Sequence, residues 1–247
     1  MTDGQTMHTL PGSSQFPTTR WTLVVAAGDP CRKEARSALV DLCENYWYPL
    51  YAYLRRRGYS ADEAQDLTQE FFVRVLEGRY LDRADPEKGR FRAFILTSLK
   101  FFVADEEDRH RARKRGGGML VPLEFSSGEE RYQREPSHGE TPERIFERRW
   151  ALSLLDRVVE RLRHEFVHHG RPEHFERLKV FLLGQADAPY AALAREMNTS
   201  EGALKVAIHR LRKRYRELFR QEIADTVVDP ADVESELRYL AAVLSSK

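Results

Sequence analysis

The segment from Tyr190 to Leu218 combines a regular apolar pattern with a cluster of cationic side chains. Apolar residues recur at helical spacing on both sides of a short polar turn, and Ser200 stands where a helix N-cap belongs. A helix with one buried and one cationic face, placed after a tight turn, can enter the major groove of DNA. The pattern predicts a helix-turn-helix, and the alternative is a surface helix whose charges are only solvated. The cationic face of the second helix consists of Lys205, His209, Arg210, Arg212, Lys213 and Arg216.

A second segment has the spacing of a zinc site. His164, Glu165 and His168 form a literal H-E-x-x-H, which on a helix places two imidazoles on one face with a glutamate as general base. Gly170 and Pro172 end this helix almost at once, and the sequence has no alternating strand pattern that would align a substrate. We therefore expect a chance occurrence in a surface helix, and we predict no bound metal and no cofactor. A zinc hydrolase is the least favoured alternative.

The composition indicates a helical chain whose charges are segregated rather than uniformly basic. Of its 247 residues 41% are hydrophobic and 32% charged, yet the formal net charge is only +1. Residues 109–115 contain five Lys or Arg and one His, directly after the acidic run 105–108. Such segregation fits phosphate contact at particular places. No segment has the length of a membrane span, and two cysteines without ligand spacing fit a reducing compartment, so we predict a cytoplasmic protein without a membrane partner.

Helical periodicity dominates the chain, and nothing sustains a period of two, so the predicted fold class is all-α. Pro49 is expected to break or kink the first long helix. Ser60 and Glu63 form an S-x-x-E capping box for a helix over 61–76. The predicted organisation is two helical domains joined by a flexible linker rich in Gly, Ser, Pro and Glu. Its parts are a flexible N-terminus 1–15, a first helical domain 16–115, the linker 116–142, a second helical domain 143–222 containing the helix-turn-helix, and a C-terminal amphipathic helix extension 223–247.

Three motifs stand in a fixed order along these parts. Residues 66–72 read D-L-T-Q-E-F-F, residues 85–94 read D-P-E-K-G-R-F-R-A-F, and residues 200–212 read S-E-G-A-L-K-V-A-I-H-R-L-R. Together they resemble the sigma factors of bacterial RNA polymerase, in the extracytoplasmic-function group that keeps only regions 2 and 4. The resemblance covers residues 16–221 approximately.

The resemblance implies a protein without catalytic residues that binds core RNA polymerase, recognises promoter DNA and helps to open it, with an anti-sigma factor as a further candidate partner. The residues implied in polymerase binding are Asp66, Gln69, Glu70 and Arg74. Those implied in holding the melted downstream (minus-ten) element and its phosphates are Tyr80, Arg83, Lys88, Arg92, Arg109, Arg111, Arg113 and Lys114. Those implied at the upstream (minus-thirty-five) element are Ser200, Lys205, Val206, His209, Arg210, Arg212 and Lys213.

Two positions depart from the family pattern, and one alternative keeps DNA binding without polymerase. Phe101 stands where the family commonly has Asn, which puts a base-specific role there in doubt. Val206 replaces a frequent Ser, and its apolar side chain suits contact with a thymine methyl group. A stand-alone helix-turn-helix regulator would explain residues 190–215 but leaves the D-L-T-Q-E helix without a role.

Overall fold

The computed structural model describes residues 33–77, 90–112, 128–135, 139–182, 190–227 and 229–245. Over these residues the protein is helical without a β-strand, which confirms the all-α prediction. Short 3₁₀ turns lie at Lys179–Phe181 and Pro230–Asp232. The α-helices of the described residues are α1 (Lys33–Arg56), α2 (Ala61–Leu76), α3 (Phe91–Ala112), α4 (Gly128–Gln133), α5 (Pro142–His168), α6 (Pro172–Leu178), α7 (Tyr190–Glu196), α8 (Glu201–Ala224) and α9 (Val233–Ser245).

Helix α2 begins where the sequence predicted it. The Ser60 hydroxyl accepts a hydrogen bond from the Glu63 backbone N–H at 3.2 Å, and the Glu63 carboxylate accepts one from the Ser60 N–H at 2.8 Å. These two bonds form the reciprocal capping box and satisfy N–H groups that have no partner inside the helix. On its inner side α2 buries Phe71, Phe72 and Val75. The cap therefore fixes the residue at which α2 begins.

Helix α1 continues through Pro49, although the sequence predicted a break or kink there. Proline has no N–H to donate to the carbonyl of Asn45, four residues earlier. The Ser153 hydroxyl of α5 lies 3.5 Å from that carbonyl oxygen. Beyond this point α1 packs against α5, and Leu50 and Leu54 are fully buried. Tertiary packing thus outweighs the local preference of one residue.

The described helices enclose two hydrophobic clusters, and α5 contributes to both. Its first half supplies Phe146 and Trp150 to a core shared with α1, α2 and α3. Its second half supplies Val158 and Leu162 to a core shared with α6, α7 and α8. A helix of 27 residues is about 40 Å long, enough to span both. Helix α9 adds Leu240 to the first core. The predicted boundary between two domains stays a prediction, but the first half of α5 packs with the first block of helices.

The described part of the predicted linker differs from the expected loose segment. Residues 128–133 form α4, which contacts α1. The Glu129 carboxylate accepts hydrogen bonds from Arg55 at 2.8 and 2.9 Å and from the Tyr51 hydroxyl at 2.6 Å. Glu135 accepts a hydrogen bond from the Tyr48 hydroxyl at 2.8 Å and pairs with Arg149. These carboxylates attach the segment to α1 and α5, whereas residues 113–127 and 136–138 lie outside the described residues.

Removing the α2 cap tests the capping box. We expect Ser60→Ala to lower the free energy of unfolding by about 1 kcal/mol, because the N–H of Glu63 loses its acceptor. Urea unfolding followed by circular dichroism measures the change. The matched control is Ser60→Asp, which restores a side-chain acceptor and is expected to keep most of the stability. An alanine variant as stable as the aspartate variant would show that the cap contributes nothing.

Candidate functional site

The turn between α7 and α8 is built from local hydrogen bonds. Asn198 adopts a positive φ of 50°, and the Ser200 hydroxyl accepts a hydrogen bond from the Ala203 N–H at 3.1 Å. Ala194 of α7 and Leu204 of α8 are buried in the same core. Ser200, predicted to contact DNA, is thus engaged as the N-cap of α8. The turn and cap together set the direction in which α8 leaves the core.

The outer face of α8 brings together the other residues predicted to contact the upstream element. We call it the α8 cationic face. Lys205 lies with its ammonium group 5.6 Å from the Tyr190 ring centroid, and Arg212 donates to the Phe181 carbonyl at 2.9 Å. Val206 is 50% exposed, an unusual degree for a valine on an otherwise cationic surface. The exposed cationic residues of this face are Lys205, His209, Arg210, Arg212, Lys213 and Arg216.

Helix α2 presents the predicted acidic residues at its surface but not the predicted arginine. Asp66 and Glu70 are exposed and Gln69 is half-buried. Arg74, expected to point outward with them, has only 11% of its side chain exposed. Its guanidinium donates to Glu70 at 2.6 Å, pairs with a carboxylate of α3 and lies 4.8 Å from the Phe102 ring centroid. The ring and carboxylates of α3 draw Arg74 inward, where it orients Glu70.

The residues predicted for the downstream element fall into three groups. Tyr80, Arg83 and Lys88, and also Arg113 and Lys114, lie outside the described residues. Arg109 and Arg111 lie on the last turns of α3, where only the backbone is described. Only Arg92 has a described side chain among them.

Arg92, predicted to contact DNA, is buried in the described structure. It is 5% exposed, its guanidinium donates to Glu236 of α9, and it lies 4.7 and 4.8 Å from the Trp150 and Tyr239 ring centroids. The cause is α9, which covers the start of α3. Sequence reasoning did not identify Glu236 and Tyr239 as partners of Arg92. One signal for such a role was present, since Glu236 interrupts the apolar face of α9 beside Leu240.

Phe101, where the sequence departs from the family pattern, lies on the outer side of α3. It is 69% exposed, the most exposed large hydrophobic side chain among the described residues. The following residue, Phe102, is fully buried. The aromatic group at position 101 therefore faces solvent and is not part of the core.

The H-E-x-x-H segment does not have the arrangement of a zinc site. Glu165 accepts hydrogen bonds from Arg214 of α8 at 2.6 and 3.0 Å, and this guanidinium lowers the pKa of the carboxyl group. His164 and His168 are exposed at the end of α5. Within the described residues no group of three His, Cys, Asp or Glu side chains could hold a metal ion. The glutamate instead joins α5 to α8.

Helices α2 and α3 carry the D-L-T-Q-E and F-R-A-F motifs. Together with the end of α1, they match a known protein family. Residues 43–115 match sigma-70 region 2. The match covers less than a third of the chain and supports a sigma-70 family factor with a role in transcription initiation. This family consists of initiation factors rather than enzymes. No curated protein and no solved structure matches the chain. Among the described residues, none of the helices is long and apolar enough to cross a membrane.

The contact between Glu165 and Arg214 predicts a pH-dependent contribution to stability. Because the folded-state pKa of Glu165 lies below its ordinary value of 4.5, the ion pair stabilises the fold above that pH and loses its effect as the pH falls through the folded-state pKa. We expect Glu165→Gln to be less stable than the wild type at pH 7 and the difference to shrink as the pH falls below 4.5.

Urea unfolding across this pH range measures the difference. The control is Glu160→Gln, since Glu160 forms only a surface pair with Arg163 in the same helix, and such pairs contribute little. A gap for Glu165→Gln that is constant with pH would contradict the assignment.

Proposed function

We propose that the protein is a sigma factor of the extracytoplasmic-function type, which binds core RNA polymerase and directs it to promoter DNA. The region 2 match, followed along the chain by the exposed α8 cationic face, is the observation that carries the proposal. Residues 143–222 would serve as region 4, for which α8 supplies the DNA-reading helix. If the chain had the function of region 2 alone, the α8 cationic face would have no role.

Polymerase binding is assigned to the acidic surface of α2. Asp66 and Glu70 are separated by four residues, so they lie on one face of the helix, and both are exposed. Arg74 holds the Glu70 carboxylate from the inner side through its 2.6 Å hydrogen bond. An exposed pair of carboxylates fits a cationic patch on a protein partner, where charge complementarity governs the encounter rate and specificity. Arg74 acts as a positioning residue in this assignment.

Upstream recognition is assigned to the α8 cationic face. Lys205, His209 and Arg210 are all exposed, and their side chains can donate to base edges and phosphates. Val206 stands between them and offers an apolar contact for a thymine methyl group. The buried side of the same helix, with Leu204 and Ile208, anchors it to the second core. The helix therefore has a rigid base and a chemically varied outer face, which sequence readout requires.

A stand-alone DNA-binding regulator is the second candidate, and the α8 cationic face favours it equally. The two functions differ in the acidic surface of α2, which a stand-alone regulator does not require. Binding to core RNA polymerase separates them. The H-E-x-x-H hydrolase has no comparable support, because Glu165 is paired with Arg214.

Charge reversal on α2 tests polymerase binding. We expect Asp66→Lys with Glu70→Lys to weaken binding to core polymerase by about tenfold or more, which corresponds to about 1.4 kcal/mol, with the fold unchanged. Fluorescence anisotropy with labelled protein at two salt concentrations measures the affinity. The matched control is Glu173→Lys with Glu176→Lys, which reverses two exposed carboxylates on α6. Equal affinities for both variants would remove the assignment, and no binding by the wild type would favour the stand-alone regulator.

Truncation of the α8 cationic face tests upstream recognition. We expect Lys205→Ala with Arg210→Ala to reduce transcription from a cognate promoter about tenfold or more while polymerase binding is unchanged, since each base contact contributes about 1–3 kcal/mol. A promoter selected in vitro with wild-type holoenzyme supplies the template. Lys179→Ala, which removes an exposed cation outside α8, is the control. Normal transcription by the double variant would contradict the role of this face.

A further inference from the structure

The start of α3 holds two arginines that share a single carboxylate. Arg92 donates a hydrogen bond to one oxygen of Glu236, and the Nε atom of Arg90 lies 2.8 Å from the other. Glu236 is fully buried, whereas Arg90 is 36% exposed. Both guanidinium groups also lie within about 5 Å of the Tyr239 ring, at 5.2 Å for Arg90 and 4.8 Å for Arg92. The C-terminal helix therefore presents a carboxylate and an aromatic ring, one turn apart, to a pair of cations.

The carboxylate and the aromatic ring resemble the phosphate and the base of a nucleotide in the way they bind arginine. Guanidinium groups bind the oxygens of carboxylates and phosphates in the same way, and they stack on the flat faces of both aromatic side chains and bases. The Trp150 ring, with its centroid 4.7 Å from Arg92, packs against this guanidinium from the core side. The two arginines also directly follow the D-P-E-K-G motif, which the sequence assigns to the melted downstream element.

Two buried polar atoms at this contact have no hydrogen-bond partner while α9 is in place. The second oxygen of Glu236 is buried and close to Arg90 but accepts no hydrogen bond, since its pairing with Nε is not aligned. The indole N–H of Trp150 is also buried without an acceptor. Buried polar atoms without a partner are costly, because they lose their hydrogen bonds to water and gain none in the protein. A ligand that supplies several anionic oxygens could replace the Arg92–Glu236 hydrogen bond with an equivalent one and also pair with Arg90.

We infer that α9 blocks Arg90 and Arg92 in the free protein by presenting Glu236 in place of a phosphate and Tyr239 in place of a base, and that both arginines contact single-stranded nucleic acid when α9 is displaced. The inference deepens the proposed function, on which it rests, because it makes the C-terminal helix a competitor of the melted promoter strand. The burial of Arg92 is then a property of the free protein, and the residue becomes available when α9 is displaced.

The experiment compares two substitutions that remove one negative charge from the same helix. Glu236→Gln weakens the contact with both arginines, whereas Glu234→Gln affects only a surface pair with Arg220. Affinity for a labelled single-stranded DNA oligonucleotide is measured by anisotropy with the full chain. We expect Glu236→Gln to bind at least about fivefold more tightly than the wild type, because a larger fraction of molecules has the site open, and Glu234→Gln to stay within about twofold.

A third variant assigns the gain to the site itself. Adding Arg92→Gln to Glu236→Gln is expected to remove the increase in affinity, because the cation that the nucleic acid would contact is absent. An increase that survives this change, or equal affinities for Glu236→Gln and Glu234→Gln, would overturn the inference. Wild-type binding to core polymerase is measured separately, so failure of the proposed sigma function appears there and not in this comparison.

Hydrogen exchange of the wild type gives a second test that does not depend on how a variant folds. We expect saturating single-stranded DNA to increase amide exchange in Val233–Ser245, since α9 leaves the site when the strand binds. Helix α2 serves as the internal reference, because it has no contact with Glu236 or Tyr239 among the described interactions. Unchanged exchange in α9 with DNA bound would overturn the inference.

Discussion

The packing of α5 is the constraint on which the other described helices depend. Its 27 residues carry apolar side chains for both cores, with Trp150 in the first and Leu162 in the second. Residues on one helix hold fixed positions relative to one another, so the helices that pack on its two halves are held in a defined relation. Large apolar side chains dominate this packing, and their burial supplies the main favourable term in folding.

Buried carboxylates add specificity to this apolar framework. Glu222 of α8 accepts hydrogen bonds from Arg157 and Arg161 of α5, and Glu236 of α9 pairs with Arg92 of α3. Removing charges from water is costly, so buried ion pairs contribute little net stability even though breaking one is strongly destabilising. We expect their effect to be on specificity, because a register that separates the two charges would leave a buried charge without a partner. The same property makes such a contact exchangeable for another anion.

Local signals located the capped starts of two helices but not the contacts between helices, and at Pro49 they predicted a break that tertiary packing prevents. The capping box at Ser60 and the N-cap at Ser200 both lie where the sequence predicted them, because capping depends on residues within one turn. Arg74 and Arg92 were expected at the surface, but each is held inward by carboxylates 32 and 144 residues away along the chain. Helical periodicity identifies the face of a residue on its own helix, and it does not reveal which distant helix covers that face.

The separation of charge within a nearly neutral chain fits the proposal that the protein binds two partners of different chemistry. A uniformly basic protein would bind DNA everywhere and gain no register on it. Here Asp66 and Glu70 are acidic and exposed on α2, whereas Lys205 and Arg210 are basic and exposed on α8. Each surface would repel the partner of the other, so charge alone would discriminate between a cationic protein patch and a phosphate backbone. The net charge of +1 reflects this balance rather than an absence of strong electrostatics.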